Sequence, residues 1–340
     1  MIVGIVLAIL VVWVGIPTIQ GQDTSGWKLE FSYYPDPMIE QGAAGEWDSG
    51  FVWAGDVYFA DGLFHMFYLG GLDWDTGAVG YATSEDGLHW TKYAGNPILT
   101  LDEAITPYGI DNFAVLPDGD AWMMYLAPKA QIQYSQGGHQ ILRATATSPT
   151  GPWTLDETPL IEKGERGSYW DSAWLRPYAA LHTPDGYFLY YIGSKGGIGV
   201  ATSPDGLTWT KYDNPDTTSA LYKASDPILL INPAGWDDYY VDDPTVRWTE
   251  NGYEMFYDAW GDLNNTMAIG YATSSDGIHW TRYGDTSILP PHAEHYTYPA
   301  AMVMVDDTYY LYYATASYDV AGNWTGNFDT RLITGTITRE

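Results

Sequence analysis

The sequence predicts an all-β fold, a five-bladed β-propeller with four antiparallel strands per blade and a ring closed by an N-terminal strand in the last blade. Three observations predict it. A motif of Ser-x-Asp-Gly followed by Trp-Thr-Lys-Tyr returns along the chain, two short apolar strands precede each copy, and the two ends of the chain carry complementary deficits.

The motif comes first because self-similarity at this period fixes the architecture. Residues 79–93 read VGYATSEDGLHWTKY, residues 269–283 read IGYATSSDGIHWTRY, and residues 198–212 read IGVATSPDGLTWTKY. A worn copy, LRATATSPTGPWT, covers 142–154. The closing tryptophans Trp90, Trp153, Trp209 and Trp280 stand 63, 56 and 71 residues apart. Each copy has hairpin chemistry: an alternating β-rich run, an Asp-Gly turn, then a second alternating run. Asp bonds its own backbone two residues on, and Gly accepts positive φ. Trp90, Trp209 and Trp280 are therefore expected in equivalent structural places, away from any ligand channel.

Apolar strands at 63–69, 122–126, 187–192 and 253–257 precede the copies, with a further set upstream at 52–59, 113–116, 178–182 and 245–248. Together with the two arms of the hairpin these make four strands per unit. Residues 27–31 followed by Asp36-Pro37 repeat the tail of the motif without its hairpin. Residues 299–305, 308–316 and 331–338 supply three strands without a fourth. Stitching the two ends into one blade leaves no open sheet edge.

A chain of 340 residues with net charge −29 and no cysteine suits one large β domain over residues 23–340. It has no disulfide framework and no thiol chemistry. The negative field repels phosphate backbones, so nucleic acid and anionic membrane are poor partners, whereas neutral ligands or a cation such as Ca²⁺ would suit it. No motif requires a cofactor. Residues 2–19 are apolar and uncharged, and 18–22 are small and polar. Residues 1–22 therefore read as a secretory signal peptide, with a retained membrane anchor as the alternative, and the body as secreted or extracytoplasmic.

Each blade opens with an aromatic and acidic approach to its innermost strand: 46–53, 106–112, 169–177, 235–244 and 292–299. In a propeller these converge on the mouth of the central channel. Trp53, Trp174, Tyr240 and Tyr298 offer flat faces for C–H stacking, while Arg176 and His295 offer polar contacts. Asp111, Asp242, Asp243 and Glu294 are the carboxylates in reach of a ligand there. Such a ring suits an oligo- or polysaccharide. His-x-x-His at 292–295 is not the helical zinc motif, and no metal ligand set is expected. Asp48, Asp171 and Asp237 recur as Trp-Asp in three blades, which points to structure.

On these residues the chain resembles the five-bladed propeller superfamily of glycoside hydrolases: family 43 of arabinanase and xylosidase type, family 32 of invertase type, and the mannoside phosphorylase-like family 130. The likeness spans residues 27–340 and is closest in general pattern to family 43. It implies cleavage of a glycosidic bond by two carboxylates. The family 43 pattern of an Asp-Pro base in blade one and a Glu-Gly-Pro acid is absent. Aligning the inner strands by their downstream turns puts Ala54-Gly55 in the first place, Asp111-Asn112, Arg176-Pro177 and Asp243-Pro244 in blades two to four, and Tyr298-Pro299 in blade five. Asp111, Asp242, Asp243 and Glu294 are the catalytic candidates, with Arg176 as counter-charge. The alternative is a non-catalytic glycan-binding propeller that has lost the acid and base.

Overall fold

Turn chemistry decides where the chain reverses. Ser84 Oγ accepts from the Gly87 amide at 2.9 Å, and Asp86 accepts from the amides of Leu88 and His89 at 2.8 and 2.9 Å. Gly87 sits at φ +75, and Trp90 Nε1 closes the turn on its carbonyl at 3.2 Å. The same bonds recur around Asp205 with Trp209 and around Asp276 with Trp280.

The computed structural model describes residues 18–22, 27–103, 105–129, 140–165, 169–261, 266–284, 287–288, 295–318 and 324–339. Two N-terminal strands, β1 (Thr18–Gln22) and β2 (Trp27–Ile39), lead into blade one: β3 (Phe51–Ala60), β4 (Leu63–Gly71), β5 (Ala78–Ser84) and β6 (Thr91–Lys92). Blade two is β7 (Ile110–Asp118), β8 (Ala121–Pro128), β9 (Ile141–Ala146) and β10 (Thr154–Ile161). Blade three is β11 (Leu175–Thr183), β12 (Gly186–Gly193), β13 (Ile198–Ser203) and β14 (Thr210–Lys211). Blade four is β15 (Tyr240–Thr249), β16 (Gly252–Gly261), β17 (Thr266–Ser274) and β18 (Trp280–Arg282). Blade five starts with β19 (His295–Val305), β20 (Thr308–Tyr318) and β21 (Trp324–Arg339), and β2 completes it beside β21.

The inner strands β3, β7, β11, β15 and β19 contact one another in cyclic order, which makes the five sheets a ring. The expected closure is present and longer than the sequence suggested, because β2 runs on to Ile39. Residues 18–22, the stretch resembling a cleavage region, pair outside β2 as β1. The apolar segment 2–17, expected to be a leader or anchor, lies outside the described residues.

Five apolar clusters form the core, one at each interface between neighbouring blades. The repeat tryptophans seal these interfaces. Trp90, Trp209 and Trp280 each meet a second-strand tyrosine of the preceding blade edge-on, namely Tyr312, Tyr125 and Tyr190. Two of those tyrosines also donate into the adjacent turn, Tyr312 to Gly87 at 2.8 Å and Tyr190 to Gly277 at 3.0 Å.

The recurring Trp-Asp pairs are clamps. Asp48 accepts from Lys92 at 2.6 Å, Asp171 from Lys211 at 2.5 Å and Asp237 from Arg282 at 2.6 Å, so the motif's basic residue ties the approach loop to the outer strand. The neighbouring tryptophans Trp47, Trp170 and Trp236 stack on Tyr68, Tyr191 and Tyr257. Those tyrosine rings in turn lie against Gly80, Gly199 and Gly270, where an added Cβ would come within 2.3 to 2.7 Å of a ring atom. The glycine of the repeat is thus fixed by the clamp of its own blade.

Candidate active site

Strand pairing gives each inner-strand residue a height along the channel. Trp53, Asn112, Arg176, Asp242 and Tyr298 pair with Leu69, Ala127, Ile192, Asp258 and Ala314, the equivalent position of each second strand. Every inner strand carries a bulge near this level: between Ala54 and Asp56, Ile110 and Asn112, Pro177 and Ala179, Asp242 and Thr245, and Pro299 and Ala301. Bulges re-aim side chains and recur beside active sites. The sequence alignment is corrected in three places. Arg176 and Tyr298 share a level with Asp242 rather than Asp243, and Asp111 lies one residue ahead of that level. In blades one, three and five the bulge falls just past this level, at Gly55, Tyr178 and Ala300, whereas in blade two it falls ahead of it, at Asp111.

Arg176 is the hub. Its Nε donates to Asp111 Oδ2, its second guanidinium nitrogen reaches Oδ1 at 3.4 Å, and its planar head lies 4.6 Å from the Trp174 ring centroid. The carboxylate side of the pair is desolvated, with the Asp111 side chain 8% exposed, while the Arg176 side chain remains 33% exposed. Trp53 and Tyr298 sit ring against ring at 5.3 Å. Tyr240 opens β15 opposite Trp260, whose ring meets exposed Tyr239 edge-on. His295 begins β19. Glu294 lies outside the described residues.

Beside this ring, Asp242, Asp243 and Asp258 are all buried, and Asp258 faces Asp242 across the β15–β16 pair. Asp242 Oδ1 accepts from the Asp243 amide at 2.9 Å, and Tyr178 hydrogen-bonds Asp243. Neither carboxyl oxygen of Asp258 has a hydrogen-bond partner among the described residues. Burial pushes the Asp242 carboxyl well above the usual range, and the charge of Asp243 adds to it. Burial likewise raises Asp243, against the pull of Tyr178 and Arg176. Asp258 is raised by burial and then by Asp243 and Asp242. Asp243 also adopts φ +44 ahead of Pro244, a left-handed conformation uncommon outside glycine and more readily taken by Asp than by most residues. Asp242 and Asp258 therefore hold protons at neutral pH, whereas Asp243, raised to about 6, gains its proton in mildly acidic solution, next to a carboxylate that Arg176 pairs. Among the described residues no group of three or more His, Cys, Asp or Glu side chains could hold a metal ion.

Sequence reasoning missed Tyr178, Asp258 and Asp56. The signal for Asp258 was present: an acid within the apolar run of β16. Asp56 follows the blade-one bulge and accepts from the Val115 amide at 2.9 Å and from Tyr58 at 3.1 Å, joining blades one and two. Burial raises its carboxyl from 3.8 to about 7, opposed by those hydrogen bonds. As pH rises the unfolded chain releases this proton first, so its contribution to stability declines between the unfolded and folded values, by about 4 kcal/mol at most. Asp86 and Asp276, held low by their turn bonds against slight burial, act in the opposite sense and only in acid. Replacing Asp56 with Asn is expected to raise the melting temperature relative to wild type progressively from about pH 4 to about pH 7, with no further change above. A constant gap across that window would show that Asp56 is not titrating there.

No protein-family model matches the sequence. An uncharacterized protein of Mycobacterium tuberculosis is 24% identical over 221 residues, covering 62% of this chain and 68% of that protein. Among solved structures, one described under the family 130 mannoside phosphorylases, a family said to contain glycoside hydrolases that target β-1,2 mannosidic linkages in Candida mannan, superposes with TM-score 0.63. It is 19% identical and covers 95% of each chain. A glycosyl hydrolase from Bacteroides ovatus gives TM-score 0.60 at 17% identity over 84% of each chain. A thermostable family 43 glycoside hydrolase gives 0.55 at 16% identity, covering 85% of this chain and 90% of that one. The chain therefore has the five-bladed propeller fold found in glycoside hydrolases.

Proposed function

We propose that the protein is an extracytoplasmic glycoside hydrolase acting at the mouth of the propeller channel. Asp243 is the general acid: its proton passes to the glycosidic oxygen as the bond to the anomeric carbon breaks. Asp111, ionised beside Arg176, is the partner carboxylate that takes a proton from the attacking water or attacks the anomeric carbon itself. Trp53, Trp174 and Tyr298 supply stacking faces for the sugar. Burial raises the Asp243 carboxyl to about 6, so that it carries its proton in mildly acidic solution, while Asp242 and Asp258 beside it stay protonated through burial and the charge of Asp243. The observation that supports this reading is the buried Asp243 carboxyl, raised by its surroundings and set in the inner-strand bulge beside an Arg-paired carboxylate.

The test is hydrolysis of a panel of aryl glycosides and oligosaccharides by wild type, Asp111→Asn and Asp243→Asn. Each substitution is expected to lower kcat by about 10²–10⁴-fold, and Asp243→Asn should remove the alkaline limb of the pH profile. Turnover within a few-fold of wild type in both variants would clear these residues of the roles. Ala54-Gly55, where family 43 places its base, favours a second reading of glycan binding without turnover. Wild-type protein that binds oligosaccharide and cleaves none of the panel would select it.

A further inference from the structure

Blade three departs from its siblings after its last strand. In blades one, three and four the tyrosine ending the repeat bonds its amide to the third strand: Tyr93 to Tyr81, Tyr212 to Val200 and Tyr283 to Tyr271. An isoleucine downstream then returns to that strand: Ile98 to Val79, Ile228 to Ile198 and Ile288 to Ile269. The two anchors stand five residues apart in blades one and four and sixteen apart in blade three. The eleven additional residues include a 3-10 turn, Ala220–Tyr222, capped by Ser219. They wall a cleft of 640 Å³ against the hairpin motif of blade four, at the outer ends of the two blades and away from the inner-strand ring.

The lining combines aromatic and polar side chains with an aliphatic floor of Pro227, Ile228, Leu230 and Ile278. Tyr212, Tyr222 and Trp280 supply ring faces and edges, and Asn214, Thr217 and His279 supply hydrogen-bonding groups. His279 is held by Asp276 through Nδ1 at 2.7 Å, and its ring lies edge-on to Tyr212 at 6.2 Å, bridging the two walls. This leaves Nε2 as the ring's second polar atom. Among the described residues no Lys or Arg lines the cleft, and Asp226 does, so a phosphate or carboxylate ligand finds no counter-charge. The volume is that of a small-ligand site. Aromatic faces for C–H surfaces combined with a hydroxyl and amide rim are the chemistry of a neutral polyol. Blade one carries the same pair, His89 on Asp86 at 2.7 Å, but blade five before it has no such insertion, so the motif alone does not make the site.

We propose that the cleft between blades three and four is a second saccharide-binding site, holding one or two neutral sugar residues apart from the channel mouth. It rests on the reading of the ligand as carbohydrate but not on catalysis. The experiment is calorimetric titration of neutral xylo-, arabino-, manno- and gluco-oligosaccharides into the Asp243→Asn protein, which prevents turnover. Tyr222→Ala, Thr218→Arg and His89→Ala are then added singly to that background. Two sites per chain are expected. Thr218→Arg, which fills the cleft from an exposed position, and Tyr222→Ala should each weaken one site by about tenfold or more, whereas His89→Ala should leave both unchanged. A stoichiometry and affinity unaltered by Thr218→Arg, or no binding by any member of the panel, would overturn the proposal. Absent hydrolysis by wild type with cleft binding intact would end the enzymatic reading and leave this one standing.

Discussion

A chain beginning at Glu40, without β1 and β2, is expected to lose cooperative folding altogether. β2 pairs outside β21 in blade five, from Trp27 opposite Arg339 to Ile39 opposite Thr330. It also contributes core side chains to two interfaces: Phe31 at 1% exposure between blades four and five, and Met38 and Ile39 between blades five and one. At about 1.5–3 kcal/mol for each buried apolar side chain, those three alone approach the total stability of an ordinary domain, about 5–15 kcal/mol. Their removal would also leave β21, sixteen residues long, as an unpaired edge open to association with other chains. Circular dichroism should show a broad, non-cooperative melt, and a synthetic peptide of residues 27–39 added in trans should restore the transition. A truncated chain that melts sharply at the wild-type temperature would show that closure contributes nothing.

Replacing Arg282 with Met is expected to cost about 3–5 kcal/mol, the usual penalty for leaving one charge of a buried pair without its partner. Asp237 is fully buried, receives Arg282 Nε at 2.6 Å and Tyr257 at 3.3 Å, and its other oxygen has no protein partner among the described residues. Denaturant unfolding of the single variant should show this loss. The double variant Asp237→Asn with Arg282→Met should recover most of it, because the stranded charge is gone. A single variant within about 0.5 kcal/mol of wild type would mean that the clamp holds nothing. The loop it secures runs directly into Asp242 and Asp243, so the single variant should also disturb whatever those carboxylates do.

The repeats were legible because they are local chemistry. Asp86, Asp205 and Asp276 bond amides two and three residues on, and the structure repeats those bonds blade after blade. Closure was legible as well, since a strand missing at one end matched a spare at the other. The heights of the mouth residues were not. The sequence alignment set Arg176 and Tyr298 against Asp243 rather than Asp242, and in blade two the bulge at Asp111 falls ahead of the level where other blades carry theirs beyond it, a difference that no residue type announces. Asp258 escaped notice because it belongs to a second strand, and only the pairing of β15 with β16 brings it against Asp242. The lengthened connection of blade three stood in the sequence, yet its meaning depended on which neighbouring hairpin it would face.

Closing the ring with its first strand also imposes an order in time. Propeller blades pair strands adjacent in sequence, contacts a chain can form quickly and independently. The partner of Trp27 is Arg339, so β2 has nowhere to dock until nearly the whole chain is available. A ribosome or an export channel releasing the protein from its N-terminus would therefore deliver β2 first and seat it last. In the interval four blades can assemble while a long tyrosine-rich strand stays unpaired, and the completed circle forms in one late step of high contact order.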